Sequence, residues 1–143
     1  MGSSAILNPI LSGEQMFRTT IYGQPVSWKN SAMVTKNRVP IKSKAQRRWA
    51  KEATRQLRAV IGTLGIQTPL VPKDVEINAK IVSYLGTKRL IDASNLYQGP
   101  EDVMQVVGIL EDDSCIVSHD GSDRQYDKEN PRVEIELTRK TRA

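Results

Sequence analysis

The chain has 143 residues, 38% of them apolar, with a formal net charge of +5; that supports one real core and excludes fibrous, collagen-like and wholly disordered classes. No apolar run approaches the roughly 20 residues that span a bilayer, and the apolar patch at 5–11 is too interrupted by Asn8 and Pro9 for a signal peptide. One cysteine, Cys115, and one histidine, His119, exclude an intrachain disulfide, a Cys-based zinc site and a His-rich metal site, so the expectation is a soluble, reduced, cytoplasmic protein with no membrane partner.

Residues 1–16 contain Gly and Ser without a pattern and are read as a flexible arm, with one folded domain over 17–143. The β-rich stretch Phe17–Tyr22 ends at Gly23 and predicts a strand. A turn-rich loop follows to Lys42, carrying Lys29, Lys36, Arg38 and Lys42 without one acid. Such a loop suits phosphates better than a core. Trp28, at its start, is placed equally well to stack on an unpaired base or to cover the core.

Ser43 opens a helix, and Gln46 stands three residues later at the capping-box spacing. Ala45, Trp49, Ala53, Leu57 and Ile61 then recur every four residues and make one apolar face. Lys44, Arg48, Lys51, Arg55 and Arg58 form a basic stripe on another face, offset only by Glu52. A stripe of one sign repels itself, so a polyanionic partner is expected, with a merely solvated face as the alternative. Gly62 and Gly65 end the helix region, and 68–72 is a proline-bearing linker.

Val75, Ile77, Ala79 and Ile81 alternate with polar residues and predict a half-buried strand; Gly86–Arg89 turns the chain. A short helix is expected within Asn95–Val107, regular from about Gly99 because Pro100 is tolerated only in a first turn, with Val103 and Val107 inward. Ile109-Leu110 and Cys115–Val117 are short apolar pieces, Asp120-Gly121-Ser122 is a turn, and Val133, Ile135 and Leu137 mark a final strand. The order predicts a single α/β domain with a mixed sheet and two main helices.

Charge is segregated. The first 60 residues hold 11 Lys and Arg against two acids, and residues 101–129 hold two against nine. The acids border apolar segments: Asp92 follows Leu90-Ile91, and Glu111-Asp112-Asp113 follows Ile109-Leu110. Carboxylates so placed need cations or a metal, and oxygen donors suit Mg²⁺. Bound Mg²⁺ can activate water for an in-line phosphodiester displacement. Basic loop, basic helix and clustered acids together read as a metal-dependent nuclease. Asp92 also fits a helix cap, Glu101 and Asp102 fit the first turn of a helix, and His119 fits a turn.

The set Asp92, Asn95 and Leu96, then Asp102, Gly108 and Asp112-Asp113, resembles the RusA family of Holliday junction resolvases. The similarity extends upstream through Pro25, Asn30, the basic loop, Ser43 and Gln46, and downstream through the segments at 118–122 and 130–135. It spans about residues 17–138, and the 118–122 and 130–135 segments resemble its phage and bacterial branch. The resemblance implies a homodimeric mixed α/β fold that resolves four-way DNA by paired nicks in opposite strands with Mg²⁺, Mn²⁺ being the alternative ion. It implies catalytic, metal-holding carboxylates at Asp92 and at Asp113 beside Asp112; Glu101 and Asp102 are further metal candidates by their place in the acidic block. Ser94 stands where the family has a second Asp, and Gln98 where it has a Lys. Either Glu101, Asp102 or Asp120 supplies the missing carboxylate and Lys88 or Arg89 the missing cation, or the chain binds junctions and cuts them slowly. DNA binding is expected of Lys29, Lys36, Arg38, Lys42, Lys44, Arg48, Lys51, Arg55 and Trp28. A non-catalytic DNA-binding module and a basic protein–protein adaptor are the competing function classes.

Overall fold

A computed structural model describes residues 14–28, 43–89 and 91–140. Five strands and two helices run in the order β1 (Glu14–Tyr22), α1 (Lys44–Leu64), β2 (Ile77–Leu85), α2 (Gln98–Val106), β3 (Ile116–Ser118), β4 (Asp123–Tyr126) and β5 (Arg132–Arg139). One-turn 3₁₀ segments at Ala93–Leu96 and Asp113–Cys115 flank α2. β1 starts at Glu14, so residues 14–16, expected in an arm, belong to the sheet, with Met16 at a register irregularity against β5.

The sheet is mixed, as the sequence predicts. β5 lies between β1 and β2, antiparallel to both, and β3 and β4 pair parallel with successive parts of the far edge of β2. The register aligns Phe17, Leu137 and Ala79, then Thr19, Ile135 and Ile81, then Ile21, Val133 and Ser83. These rows face the helices, and their apolar members form the core with Trp49, Ala53, Leu57, Val103 and Met104. The opposite face carries the rows Arg18–Glu136–Lys80 and Tyr22–Arg132–Tyr84. Strand geometry sends alternate side chains to opposite faces, so one register fixes both surfaces.

α1 begins as its sequence requires. The Ser43 hydroxyl accepts from the Gln46 amide, and the Gln46 side chain accepts from the Ser43 amide. Its buried residues are Gln46, Trp49, Ala53 and Leu57; Ala45 is exposed and Ile61 only half-buried, so the apolar face is shorter than the four-residue repeat suggests. Gly62 stays helical, and Gly65 stops the helix in the left-handed conformation. Gln56 ties α1 to the end of β1, exchanging two hydrogen bonds with the backbone of Tyr22.

β2 begins two residues later than Val75 and runs to Leu85, with Val82 and Ser83 buried on opposite faces. The gap between β3 and β4 is bridged by side chains. Asn78 accepts from the Ser118 hydroxyl and the Asp120 amide and donates to the Asp120 carbonyl, and Ser122 accepts from the Ile81 amide. β4 has no apolar alternation and is exposed throughout, which is why periodicity does not reveal it.

Candidate active site

Asp92 heads the 3₁₀ turn at Ala93–Leu96. Its carbonyl accepts from the Asn95 amide at 3.0 Å, but its carboxylate makes no capping bond. The cap reading of Asp92 therefore holds for the backbone alone. The exposed side chain lines a cleft of about 510 Å³ with Gln24, Ser27, Arg89, Ile91 and Asn95, closed on one side by Ala45 at the start of α1. The cleft is held together by backbone: the Trp28 amide donates to the Asn95 carbonyl at 2.7 Å, and the Gln46 side chain donates to the Ser27 carbonyl at 3.1 Å.

The Trp28 ring turns to the core. It meets Trp49 edge to face, centroids 5.8 Å apart at 73°. Gly99 lies beneath it, buried in the first turn of α2, where a Cβ would come within 2.9 Å of the Trp28 ring. Of the two sequence readings, core cover describes the arrangement.

The other acids lie around α2. Glu101, in its first turn, meets His119 Nε2 through Oε2 at 2.5 Å, and the His119 ring stacks on Tyr97 with centroids 4.5 Å apart. Burial raises the Glu101 pKa; His119 pulls it down, and Asp113 and Asp102 push it up further. Glu101 therefore senses His119, Asp113 and Asp102 electrostatically. Asp113 is exposed, and its amide donates to Gln105 at the far end of α2. Asp112 accepts from the Ser114 hydroxyl at 2.9 Å, a bond that lowers its pKa and favours its charged form. Glu111 is used structurally, accepting from the Lys73 amide. The Cys115 thiol is buried and pushed up to about 11, first by burial and then by Asp112, Asp113 and Glu101, which makes it inert.

These carboxylates do not close into a full cage. Among the described residues no three His, Cys, Asp or Glu side chains lie where they could share a metal ion. Of the candidates for the missing carboxylate, Glu101 is already engaged by His119 at 2.5 Å. Asp120 is 83% exposed and lies 3.9 Å from Lys140, serving the turn as its sequence suggests. Asp102 flanks Glu101 and contributes to the local negative field. Ser94 and Gln98 are both exposed beside the cleft-lining turn. The donors present fit a hard cation held by one or two carboxylates, with water and substrate phosphate completing its shell, the mode Mg²⁺ favours.

The predicted basic stripe exists. Lys44, Arg48, Lys51, Arg55 and Arg58 are all exposed on α1. Arg55 pairs with Glu52 on the same helix, so its charge is partly committed. Lys29, Lys36, Arg38 and Lys42 lie outside the described residues, as does Asn30. Three features escape sequence reasoning: the Glu101–His119 pair, the Tyr97 stack, and Arg124, whose guanidinium donates to the Ile91 carbonyl at 2.5 Å, one residue before Asp92. The first two join segments 18 or more residues apart, and Arg124 sits on the strand that lacks a pattern. No helix among the described residues is long and apolar enough to cross a membrane.

A family model described as endodeoxyribonuclease RusA matches residues 22–138. No match is found among curated proteins.

Proposed function

The chain belongs to the RusA endodeoxyribonuclease family, and from that premise we propose that it resolves four-way DNA junctions by paired symmetric nicks, as a Mg²⁺-dependent homodimer with Mn²⁺ able to substitute. Membership implies endonuclease activity on Holliday junctions, a branched-DNA partner and a divalent metal; the ion, the dimer and the residue roles belong to the proposal. The observation that carries it is the Asp92 cleft. Its carboxylate, uncommitted to the turn it heads, lines a concave site that also contains Arg89 and Asn95 and abuts the first turn of the basic helix.

In this reading Asp92 and Asp113 would hold the ion, with Asp112 next to Asp113 in the chain, and the ion would supply an activated water and neutralise the leaving oxygen. Asn95 and Arg89 orient the phosphodiester and oppose its charge. The cations of α1, joined by Lys29, Lys36, Arg38 and Lys42, position the duplex arms by their phosphates. Asp102 adds negative field from α2, and His119 holds Glu101 in place. The proposed site of action is the cytoplasm, for a bacterial or phage-encoded protein.

The test is a nicking assay on a labelled mobile four-way junction, with linear duplex as control and Mg²⁺, Mn²⁺ and EDTA compared. Symmetric metal-dependent cuts on the junction alone are expected. Asp92→Ala and Asp113→Ala should abolish them while junction binding in EDTA persists; unchanged nicking in both variants would end the assignment. A second reading is favoured by Ser94 and Gln98: a junction binder that cuts weakly or not at all. Tight binding without cuts in either metal is its signature.

A further inference from the structure

Beyond Asp92, at the end of β2, lies a second concave surface. Leu85, Thr87, Lys88, Arg89, Arg124, Gln125 and Tyr126 line a cleft of about 280 Å³. Lys88, Arg89 and Arg124 are exposed, and none of the three takes part in an ion pair among the described residues. Of the acids nearby in sequence, Asp127 and Glu134 pair with Arg132, Asp123 accepts from the Arg124 amide and the Gln125 side chain, and Asp92 lies in the adjoining cleft with Arg89. Three like charges around one hollow repel one another unless an anion joins them.

Two contacts make this hollow continuous with the Asp92 cleft. Arg89 lines both. Arg124 is fixed by its 2.5 Å bond to the Ile91 carbonyl, which leaves the rest of its donor fork for a ligand. Lys88 is steadied over the Tyr126 ring, 5.3 Å from its centroid. Cations held this way lose less freedom on binding than loose surface lysines. A planar guanidinium fork matches phosphate oxygens in pairs, and an ammonium serves as a point charge beside it.

We propose that Lys88, Arg89 and Arg124 form a phosphodiester subsite that grips the DNA backbone directly beside the phosphate at Asp92. The inference rests on the nuclease reading for its substrate, and its test is separable from that reading. Arg124, on the strand that periodicity does not reveal, supplies the cation next to Asp92 that Gln98 does not.

The experiment is junction binding by fluorescence anisotropy in EDTA, over a salt series, with the full chain. The doubly substituted Lys88→Ala, Arg124→Gln chain is compared with wild type and with Lys128→Ala, an exposed lysine outside the cleft. Each lost phosphate contact lowers the slope of log affinity against log salt by about one. A slope reduced by about two in the double variant, with Lys128→Ala unchanged and thermal melts alike, supports the subsite. Wild-type binding with an unaltered slope in the double variant overturns it. If wild type binds but cuts nothing, the nuclease reading fails while the slope still decides the subsite. If wild type does not bind the junction at all, both fall.

Discussion

Gly99 shows how one residue couples packing to the site. A Cβ there would sit 2.9 and 3.0 Å from two Trp28 ring atoms and 3.3 Å from Trp49. Gly99→Ala therefore forces the Trp28 ring off its seat, at about 1–3 kcal/mol by the usual cost of overpacking. Because the Trp28 amide anchors Asn95 in the Asp92 cleft, junction affinity should fall as well. Chemical denaturation and anisotropy on the same sample check both; a fully stable variant with normal binding would contradict the coupling. Glu101 offers a test by pH. Its native pKa is raised above the unfolded value, so the native state holds the proton more tightly. That contribution is full below the unfolded carboxylate range and is lost as pH rises through the raised native value. Glu101→Gln stays neutral throughout, so in EDTA its stability relative to wild type should rise from pH 4 to pH 8. His119 opposes the trend and Asp102 and Asp113 reinforce it, so the series is repeated with His119→Gln. A pH-independent difference would show that Glu101 is not perturbed in this way.

Helix α1 places capping, core and charge on one element, and each can be tested separately. Removing the Ser43 hydroxyl breaks the reciprocal cap with Gln46, and Ser43→Ala should cost about 1 kcal/mol. A melting temperature within error of wild type would deny the cap its role. On the exposed side, Arg48 and Arg55 have equal formal charge but different surroundings, because Glu52 accepts from Arg55. Arg48→Ala should therefore weaken junction binding and its salt dependence more than Arg55→Ala; equal losses would mean that Glu52 releases Arg55 on binding. α1 was legible in the sequence because a cap, a four-residue apolar repeat and a charge stripe all agree. β1, α2 and β5 were legible for similar reasons. β4 was not, because Asp123–Tyr126 buries nothing and is fixed by its ladder with β2. The site divides along the same line. Asp92 and Asp113 stand out by type and spacing, whereas Glu101–His119 and Arg124–Ile91 are tertiary contacts between distant segments that no local pattern encodes.

At the scale of the whole molecule, the proposed junction resolution is tested through charge and symmetry. Each chain carries +5, and the proposed two-fold dimer would double that on a substrate that can itself present two-fold symmetry. A dimer contacting 6–10 phosphates should lose roughly 10³–10⁵ in affinity between 50 and 200 mM salt. A change below tenfold would remove electrostatics as the main source of binding. Symmetry makes a sharper demand, because resolution needs one cut in each of two opposite strands and each chain supplies one Asp92 cleft. Wild-type and Asp92→Ala chains, differently tagged and co-purified as mixed dimers, should bind junctions as wild type does, since Asp92 contributes no positive charge. They should nick one strand and leave the junction unresolved, a product distinguishable on native and denaturing gels. Full resolution by the mixed dimer would mean that a single cleft cuts both strands in turn, and the two-fold arrangement would no longer be required by the chemistry.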